Sequence, residues 1–283
     1  MYFGKDLSDE FHKLTKSGEY QEVELITKLQ DAFINLANSN YHYALDIIHG
    51  NRSMVDFQYN ANWATDIHMG VVCRCELSDM LFIVFSEADD QIRLMYMQNK
   101  KGKTSRKFKA DLVQLCLLKN RCKIISPRLP ACAFGDRRIL QDALLPSVGS
   151  YGVFYKENNA TDMAYYPATN ISPITVIARK SDRIVQFNRT WFGQTENIGY
   201  YKESQGEKTL RDFADALIDM EIGTPIMRGD PTYDAVLSFL CDKIPRFRET
   251  RFITEWDRVR HDVAPDYSGI PFACVINADV IRG

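Results

Sequence analysis

A hairpin pattern around a polar turn at residues 86–91 constrains the fold of this chain more than any other stretch. Before the turn, residues 81–85 are a continuous run of bulky apolar side chains, and after it, residues 92–100 form a second run of strand-forming residues. Two such runs around a short polar connection predict two antiparallel strands. The second run starts apolar and ends in Gln98 and Lys100, so the predicted sheet has a polar corner.

Symmetric pairing about the turn places Asp79 opposite Gln98, with Lys100 as a diagonal neighbour on the same face. Glu76 lies just before Asp79 in the chain, so a second carboxylate can reach this corner. Carboxylate and amide oxygens are the hard ligands that suit Mg²⁺. A lysine beside them can orient the attacking water or balance the charge that develops on a phosphate. The corner therefore has the residue types of a combined metal and phosphate site.

This arrangement resembles the PD-(D/E)XK nuclease superfamily, in which an Asp at the start of one strand is followed by (Glu/Asp/Gln)-x-Lys on the next. The matching residues are Ser78-Asp79, with Ser where the signature has Pro, and Gln98-Asn99-Lys100. The match is to the Gln-x-Lys variant of Mrr-like restriction nucleases and is confined to this part of the chain. The alternative is an ordinary surface hairpin with a solvated Asp and Lys at its end.

The resemblance implies an α/β, restriction-endonuclease-like fold with a central mixed sheet flanked by helices. It also implies metal-dependent endonuclease activity on DNA, in restriction or antiviral defence against phage. In this hypothesis Asp79 and Gln98 hold Mg²⁺, with Mn²⁺ as the alternative ion. Lys100 assists the attacking water, and Glu76 is a supporting acid. Cutting both strands of a duplex usually takes two active sites, which predicts a homodimer.

An amphipathic helix is predicted before the hairpin. Between residues 19 and 38, apolar side chains recur with the helical period along one stripe, and Glu22 lies on that stripe. In many members of the nuclease superfamily the helix before the core sheet donates a further acid. Glu22 is therefore a candidate catalytic residue. The alternative is a first-turn Glu that stabilises the helix N-terminus through the helix dipole.

Basic residues cluster directly after the hairpin, at Lys101, Lys103, Arg106, Lys107 and Lys109. Cations beside the acids of a metal site are what phosphodiester binding needs, so this cluster is predicted to contact nucleic acid. The alternative is a solvated charged face.

Further elements follow local signals. Residues 108–118 predict a helix, with Gln114 on its flank as an accessory residue facing the site or as a solvated side chain. Residues 153–155 and 164–166 predict a second hairpin, preceded by a loop at residues 147–152. Asp230-Pro231 predicts the start of a late helix, because Pro is favoured at the first helical position.

Length and charge limit the organisation of the chain. Its 283 residues suit one large domain or two tightly packed ones. We expect a nuclease core over residues 1–168 and a C-terminal α/β region over residues 169–283 that packs on it. The net charge is −2 and the pI is about 6.2, so any nucleic-acid surface must come from local clustering of basic residues.

Several other classes of function are disfavoured. The seven cysteines are odd in number and form no CxxC pair, which favours buried thiols over a disulfide framework or a zinc site. No apolar run approaches the ~20 residues that span a bilayer, and the N-terminus does not resemble a signal peptide. A cytoplasmic protein without membrane contact is expected. No HExxH motif or P-loop occurs, so any NTP-driven step would need a separate motor or sensor subunit.

Two other functions remain open at this point. A Gln carbonyl is a weaker metal ligand than a carboxylate, so the chain is alternatively a catalytically weak or inactive nucleic-acid-binding or assembly subunit with the same fold. The third hypothesis is an RNA nuclease, because phosphate contacts serve RNA and DNA alike.

Overall fold

The structure is a computed structural model that describes residues 2–16, 18–50, 54–58, 72–157, 160–175, 182–187, 195–198, 200–204, 206–253 and 271–283. Within these ranges the protein is α/β, with a central mixed sheet and helices packed on both of its faces. No helix within them combines the length and the apolar character needed to cross a bilayer.

The helices of the described ranges are α1 (Phe3–Thr15), α2 (Glu22–Ala37), α3 (Leu112–Asn120), α4 (Leu210–Ile218), α5 (Pro231–Lys243) and α6 (Ala278–Arg282). The strands are β1 (Leu45–Ile48), β2 (Met54–Gln58), β3 (Val72–Glu76), β4 (Met80–Ser86), β5 (Gln91–Thr104), β6 (Lys107–Asp111), β7 (Gly149–Glu157), β8 (Ala160–Pro167), β9 (Ile171–Thr175), β10 (Asp182–Phe187), β11 (Thr195–Ile198), β12 (Tyr201–Ser204), β13 (Thr224–Pro225) and β14 (Phe272–Asn277).

The central sheet has the order β1–β14–β4–β5–β6–β10–β9, and β7 also pairs with β5 and with β8. β14 runs parallel to β4, and β7 runs parallel to β5, whereas the other pairs are antiparallel. β14 comes from the end of the chain and lies between β1 and β4. The sheet is therefore built from both ends of the sequence.

The β4–β5 hairpin has the register that symmetric pairing predicts. Met80 pairs with Met97 and Ser86 pairs with Gln91, which puts Asp79 at the level of Gln98. Every residue of β4 is buried, which explains its continuous apolar run, because a strand covered on both faces has no solvent side. The turn includes Asp90 at φ 52, a left-handed conformation that Asp tolerates better than most residues.

Alternation along the two strands divides the interior into two cores. The first core contains Leu81, Ile83, Leu94 and Tyr96 together with residues of α3 and α5. The second core contains Met80, Phe82, Met95 and Met97 together with residues of α1, α2 and α4. Since successive side chains point to opposite faces, Gln98 and Lys100 follow the side of Tyr96, and Asn99 and Lys101 follow the side of Met97.

The start of α2 is fixed by a reciprocal cap. The Gln21 backbone N–H donates to the Glu24 carboxylate at 2.6 Å, and the Gln21 side chain accepts from the Glu24 backbone. This capping box satisfies N–H groups that a helix terminus leaves unpaired. Glu22 is the first residue of the helix, so its side chain projects from an anchored terminus.

Of the four further elements predicted from local signals, two are wrong and two are confirmed. Residues 107–111 form β6 and pair with β10, and the helix begins only at Leu112 because Asp111 caps it, accepting from Val113 N–H at 2.7 Å. The predicted loop at 147–152 is mostly strand, because β7 begins at Gly149 and pairs with β5. The second hairpin is confirmed by the β7–β8 pair. The late helix begins at Pro231, as predicted.

Candidate functional site

The site lies along the edge of β5 that faces β4, at residues 98–101, which follow Met97, the last residue of β5 that pairs with β4. The Asp79 backbone N–H donates to the Met97 carbonyl at 3.1 Å. The Asp79 carboxylate accepts the backbone N–H of Asn99 at 2.6 Å. Asp79 is thus fixed through backbone and side chain, and its carboxylate lies against the peptide that joins Gln98 to Asn99.

Glu22 reaches the same strand from the first turn of α2. One carboxylate oxygen accepts the Lys101 backbone N–H at 3.1 Å, and the other accepts from the Lys100 ammonium at 3.2 Å. The Lys100 side chain is 14% exposed, so the pair is only partly open to water. This ion pair joins the helix-borne acid to the lysine of the Gln-x-Lys pattern.

Both carboxylates lie on the same edge of β5. The N–H groups of Asn99 and Lys101 emerge at one edge because they are two residues apart in a strand, which separates them by about 7 Å. Asp79 binds the N–H of Asn99 and Glu22 binds the N–H of Lys101. Lys100 lies between Asn99 and Lys101 in the chain. Two acids on either side of a lysine form the framework of the candidate site.

Gln98 is fully buried on the first-core side of this framework. Its amide nitrogen donates to the backbone carbonyl of Glu76 at 3.3 Å. Its amide oxygen has no hydrogen-bond partner among the described residues. Glu76 therefore contacts Gln98 through its main chain, and its side chain is half-buried at the end of β3.

Three other buried polar residues near this corner were not predicted from the sequence. Within the described part of the chain, hydrogen-bond partners are lacking for the Ser78 hydroxyl, both amide atoms of Asn99 and the Tyr151 hydroxyl. Tyr151 pairs with Gln98 across β5 and β7, and burial raises its pKa well above the ordinary tyrosine value. Most buried polar atoms in proteins are hydrogen-bonded, so this cluster is unusual.

Asn99 lies on the second-core side, directly over Gly152 of β7. A Cβ atom added at Gly152 would lie 2.6 Å from the Asn99 amide oxygen and 2.8 Å from the Met163 sulfur. A larger residue there would therefore displace the buried Asn99 amide or the Met163 side chain.

The predicted basic residues divide between the site and its surroundings. Lys101 is exposed, and its ammonium donates to the Tyr20 carbonyl at 2.7 Å. Arg106 pairs with Glu207 at 2.7 Å, an acid far away in sequence. The remaining basic residues are exposed on β5 and β6, at Lys103, Lys107 and Lys109. Gln114 is half-buried in the first turn of α3, and its backbone N–H donates to Asp111 at 3.2 Å.

The donor set suits a hard divalent cation held by few protein ligands. Among the described residues, no three His, Cys, Asp or Glu side chains converge to hold a metal ion. Mg²⁺, however, usually keeps several waters and uses one or two carboxylates together with substrate phosphate. The Asp79 carboxylate and the unpartnered oxygen of Gln98 fit that chemistry.

Comparison of the chain with protein-family models, with curated proteins and with solved structures found no match.

Proposed function

We propose that this protein is a metal-dependent nuclease that hydrolyses phosphodiester bonds of DNA. One observation carries the proposal: Asp79 and Glu22 bind alternate N–H groups of β5, on either side of Lys100, whose ammonium is paired with Glu22. Acids and a lysine at this spacing beside an amide oxygen are suited to a divalent cation and a phosphate. The resemblance of the sequence to PD-(D/E)XK nucleases points the same way.

Lys100 is the group that would stabilise the phosphate. Its stem is largely covered, and its charge is balanced by Glu22. An incoming phosphate competes with the Glu22 carboxylate for the ammonium, so Glu22 acts as an internal counterion until substrate arrives. Charge that grows on the phosphate in the transition state is then met by a cation already held in place.

Asp79 and Gln98 are the residues that would hold Mg²⁺ or Mn²⁺. The Asp79 carboxylate is oriented by the Asn99 N–H, and the Gln98 amide is oriented by its bond to the Glu76 carbonyl. When bound, the cation would polarise the phosphate and lower the pKa of the attacking water. Glu76 supports the site through the carbonyl that fixes Gln98.

Cleavage assays with single-residue variants test this proposal. Purified protein is incubated with plasmid DNA, single-stranded DNA and RNA, each with Mg²⁺, Mn²⁺ or a chelator. We expect DNA cleavage that the chelator abolishes, and a loss of about a hundredfold or more in Asp79→Asn and Lys100→Met. Lys5→Met and Asp9→Asn remove an exposed Lys–Asp pair on α1 and should cleave at the parent rate.

The outcome against the proposal is equally clear. An Asp79→Asn or Lys100→Met protein with parent-like circular dichroism and melting that still cleaves at the parent rate excludes these residues from the chemistry. Cleavage of RNA but not DNA in the same assay would transfer the proposal to an RNA nuclease.

A second candidate function has its own supporting observation. Gln98 stands where the PD-(D/E)XK signature usually has a carboxylate, and its side chain is fully buried. A nucleic-acid-binding or assembly subunit with little or no catalysis would have this character. Such a protein would bind nucleic acid with a strong salt dependence in chelator and release no product with any metal.

The wider role also stays a proposal. A part in restriction or antiviral defence, a homodimer and a separate motor or sensor subunit are implied by the nuclease resemblance. Sedimentation of the purified chain with and without DNA tests the dimer.

A further inference from the structure

A cleft of about 260 Å³ opens beside the candidate site on the second-core side of the sheet. Its floor is apolar and includes Leu25 of α2 and Phe154 of β7, both buried. Tyr20, from the segment before α2, forms one wall. The cleft adjoins the nuclease framework because Lys101, which lines it, donates its backbone N–H to Glu22.

Three lysines surround this floor. Lys101 and Lys103 come from β5, and Lys156 comes from the neighbouring strand β7. Lys156 pairs with Glu19 at 3.5 Å, but the Glu19 side chain is 91% exposed, so water and salt screen that pair strongly. Lys103 forms no ion pair with a described residue. The rim therefore carries a net positive charge available to an anion.

A cationic rim over an apolar floor is the chemistry of a nucleotide site. Lysines neutralise backbone phosphates, while aromatic and apolar side chains contact a base or sugar. The Tyr20 ring is held in position by its hydroxyl bond to the Leu14 carbonyl at 3.4 Å and by the Lys28 ammonium 6.0 Å from its centroid. Thr161, which is buried, also lines the cleft.

The size of the cleft favours a single-stranded nucleic acid over a duplex. Sites that enclose a drug-sized ligand usually measure roughly 300–1,000 Å³, so 260 Å³ is enough for about one nucleotide. A paired base cannot enter such a cleft without leaving its stack. We propose that this cleft binds one nucleotide of a single-stranded nucleic acid and guides that strand to the Lys100–Glu22 pair. The inference rests on the proposed nuclease function and narrows its substrate class.

Equilibrium binding in chelator tests the cleft separately from cleavage. Fluorescence anisotropy is measured with labelled single-stranded DNA, single-stranded RNA and a blunt duplex of equal length, over a range of salt concentrations. We expect a single strand to bind at least tenfold more tightly than the duplex. Lys103→Glu/Lys156→Glu should weaken single-strand binding at least tenfold and reduce the salt slope by about 0.7 for each phosphate that the protein no longer neutralises.

Two controls define the result. Lys103→Arg/Lys156→Arg keeps the charge and should bind within about threefold of the parent. Lys243→Glu reverses a lysine on α5, which packs on the first core at the opposite face of the sheet, and should bind like the parent.

The inference is overturned if the Lys103→Glu/Lys156→Glu protein binds single strands as the parent does, or if the duplex binds as tightly as either single strand. Its failure is distinguishable from failure of the proposed function. If the cleft variant loses binding while no metal supports cleavage, the cleft stands and the nuclease fails. If Asp79→Asn loses cleavage while the cleft variant binds normally, the nuclease stands and the cleft fails.

Discussion

The two ends of the buried part of β5, residues 92–99, hold polar side chains in opposite ways. Near its start, Arg93 is 1% exposed, and its guanidinium donates to the carbonyls of Lys202 and Gly223 at 3.0 and 3.3 Å. Near its end, Gln98 and Asn99 are equally buried, yet three of their four amide atoms have no partner among the described residues. We call the network around Arg93 closed, because its polar groups have partners, and the one at Gln98 and Asn99 open, because most of its amide atoms have none among the described residues.

The closed network continues beyond Arg93. Burial lowers the pKa of Arg93 to about 10, and the charge of Glu203 is the largest effect in the other direction. Glu203 is itself fully buried and accepts from the backbone N–H and the hydroxyl of Ser147 at 3.0 and 2.9 Å. The Ser147 hydroxyl accepts in turn from Gly223 N–H at 2.8 Å. These hydrogen bonds and charges connect β5, β12 and the turn before β7.

The contrast between the two networks distinguishes a structural role from the proposed functional one. A buried polar group without a partner is costly, so proteins keep few of them, and they concentrate where a ligand completes the set. The closed end therefore identifies a structural network. The open end, beside Asp79 and the Lys100–Glu22 pair, is where the proposed site lies.

The largest effect is expected at the closed end. Glu203→Leu leaves the N–H and hydroxyl of Ser147 without their buried acceptor and removes the largest charge that favours protonated Arg93. We expect a loss of about 3–5 kcal/mol in the free energy of unfolding, measured by urea denaturation. The double variant Arg93→Leu/Glu203→Leu should recover part of this loss. A single variant within 1 kcal/mol of the parent would remove the closed network from the stability of the fold.

A smaller loss is expected where the open end is tightly packed. Gly152→Ala places a methyl group 2.6 Å from the Asn99 amide oxygen. Overpacking of this kind usually costs about 1–3 kcal/mol, which thermal or urea unfolding will report. Adding Asn99→Ala should restore part of the stability, because it vacates the space. Parent-like stability of Gly152→Ala would mean that Asn99 is not held against β7.

Gln98→Met tests the open network itself. It removes an unpartnered buried oxygen together with one hydrogen bond to Glu76. We expect a stability change within about 1 kcal/mol, because the two effects oppose each other. Metal-dependent cleavage should fall at least tenfold. If Gln98→Met is as destabilising as Glu203→Leu, the open network stabilises the fold as much as the closed one does.

The smallest effect concerns Asp162, a half-buried acid outside both networks. Burial raises the pKa of Asp162 above its usual value. The folded state then holds this proton more tightly than the unfolded state, so stability falls as pH rises through the raised pKa. We expect Asp162→Asn to be more stable than the parent at pH 7, and the difference to vanish near pH 3, where the acid is protonated in both states.

Asp56 provides the control for this sign. Its pKa is lowered, chiefly by the hydrogen bond from Arg74, so its contribution is present at neutral pH and is lost on acidification. Asp56→Asn should therefore be less stable than the parent at pH 7. Unfolding curves for both variants between pH 3 and pH 7 should diverge from the parent in opposite directions.

Local signals predicted the hairpin and its register, because an apolar run, a polar turn and a period of two fix which residues face each other. The alternative for Glu22 was a first-turn residue acting on the helix dipole, and the structure gives it direct partners in Lys100 and Lys101. No local signal indicated Tyr151, because its strand is a parallel partner of β5. Parallel pairing depends on long connections whose path the sequence does not reveal.

The same limit applies to the helix predicted at residues 108–118. Its first part pairs with β10, a strand more than 70 residues later. The capping role of Asp111 was visible in principle, since Asp is a favoured N-cap residue. Contacts between distant segments, such as Arg106 with Glu207, cannot be read from composition or spacing.

The position of β14 has a consequence for how the molecule is made. β14 inserts between β1 and β4, so the edges of these two strands that face β14 have no partner on the ribosome until residues 272–277 have emerged. Until then two hydrophobic strand edges stay open to pairing with other chains. A variant that lacks residues 272–277 would therefore have a gap between β1 and β4, and we expect it to aggregate.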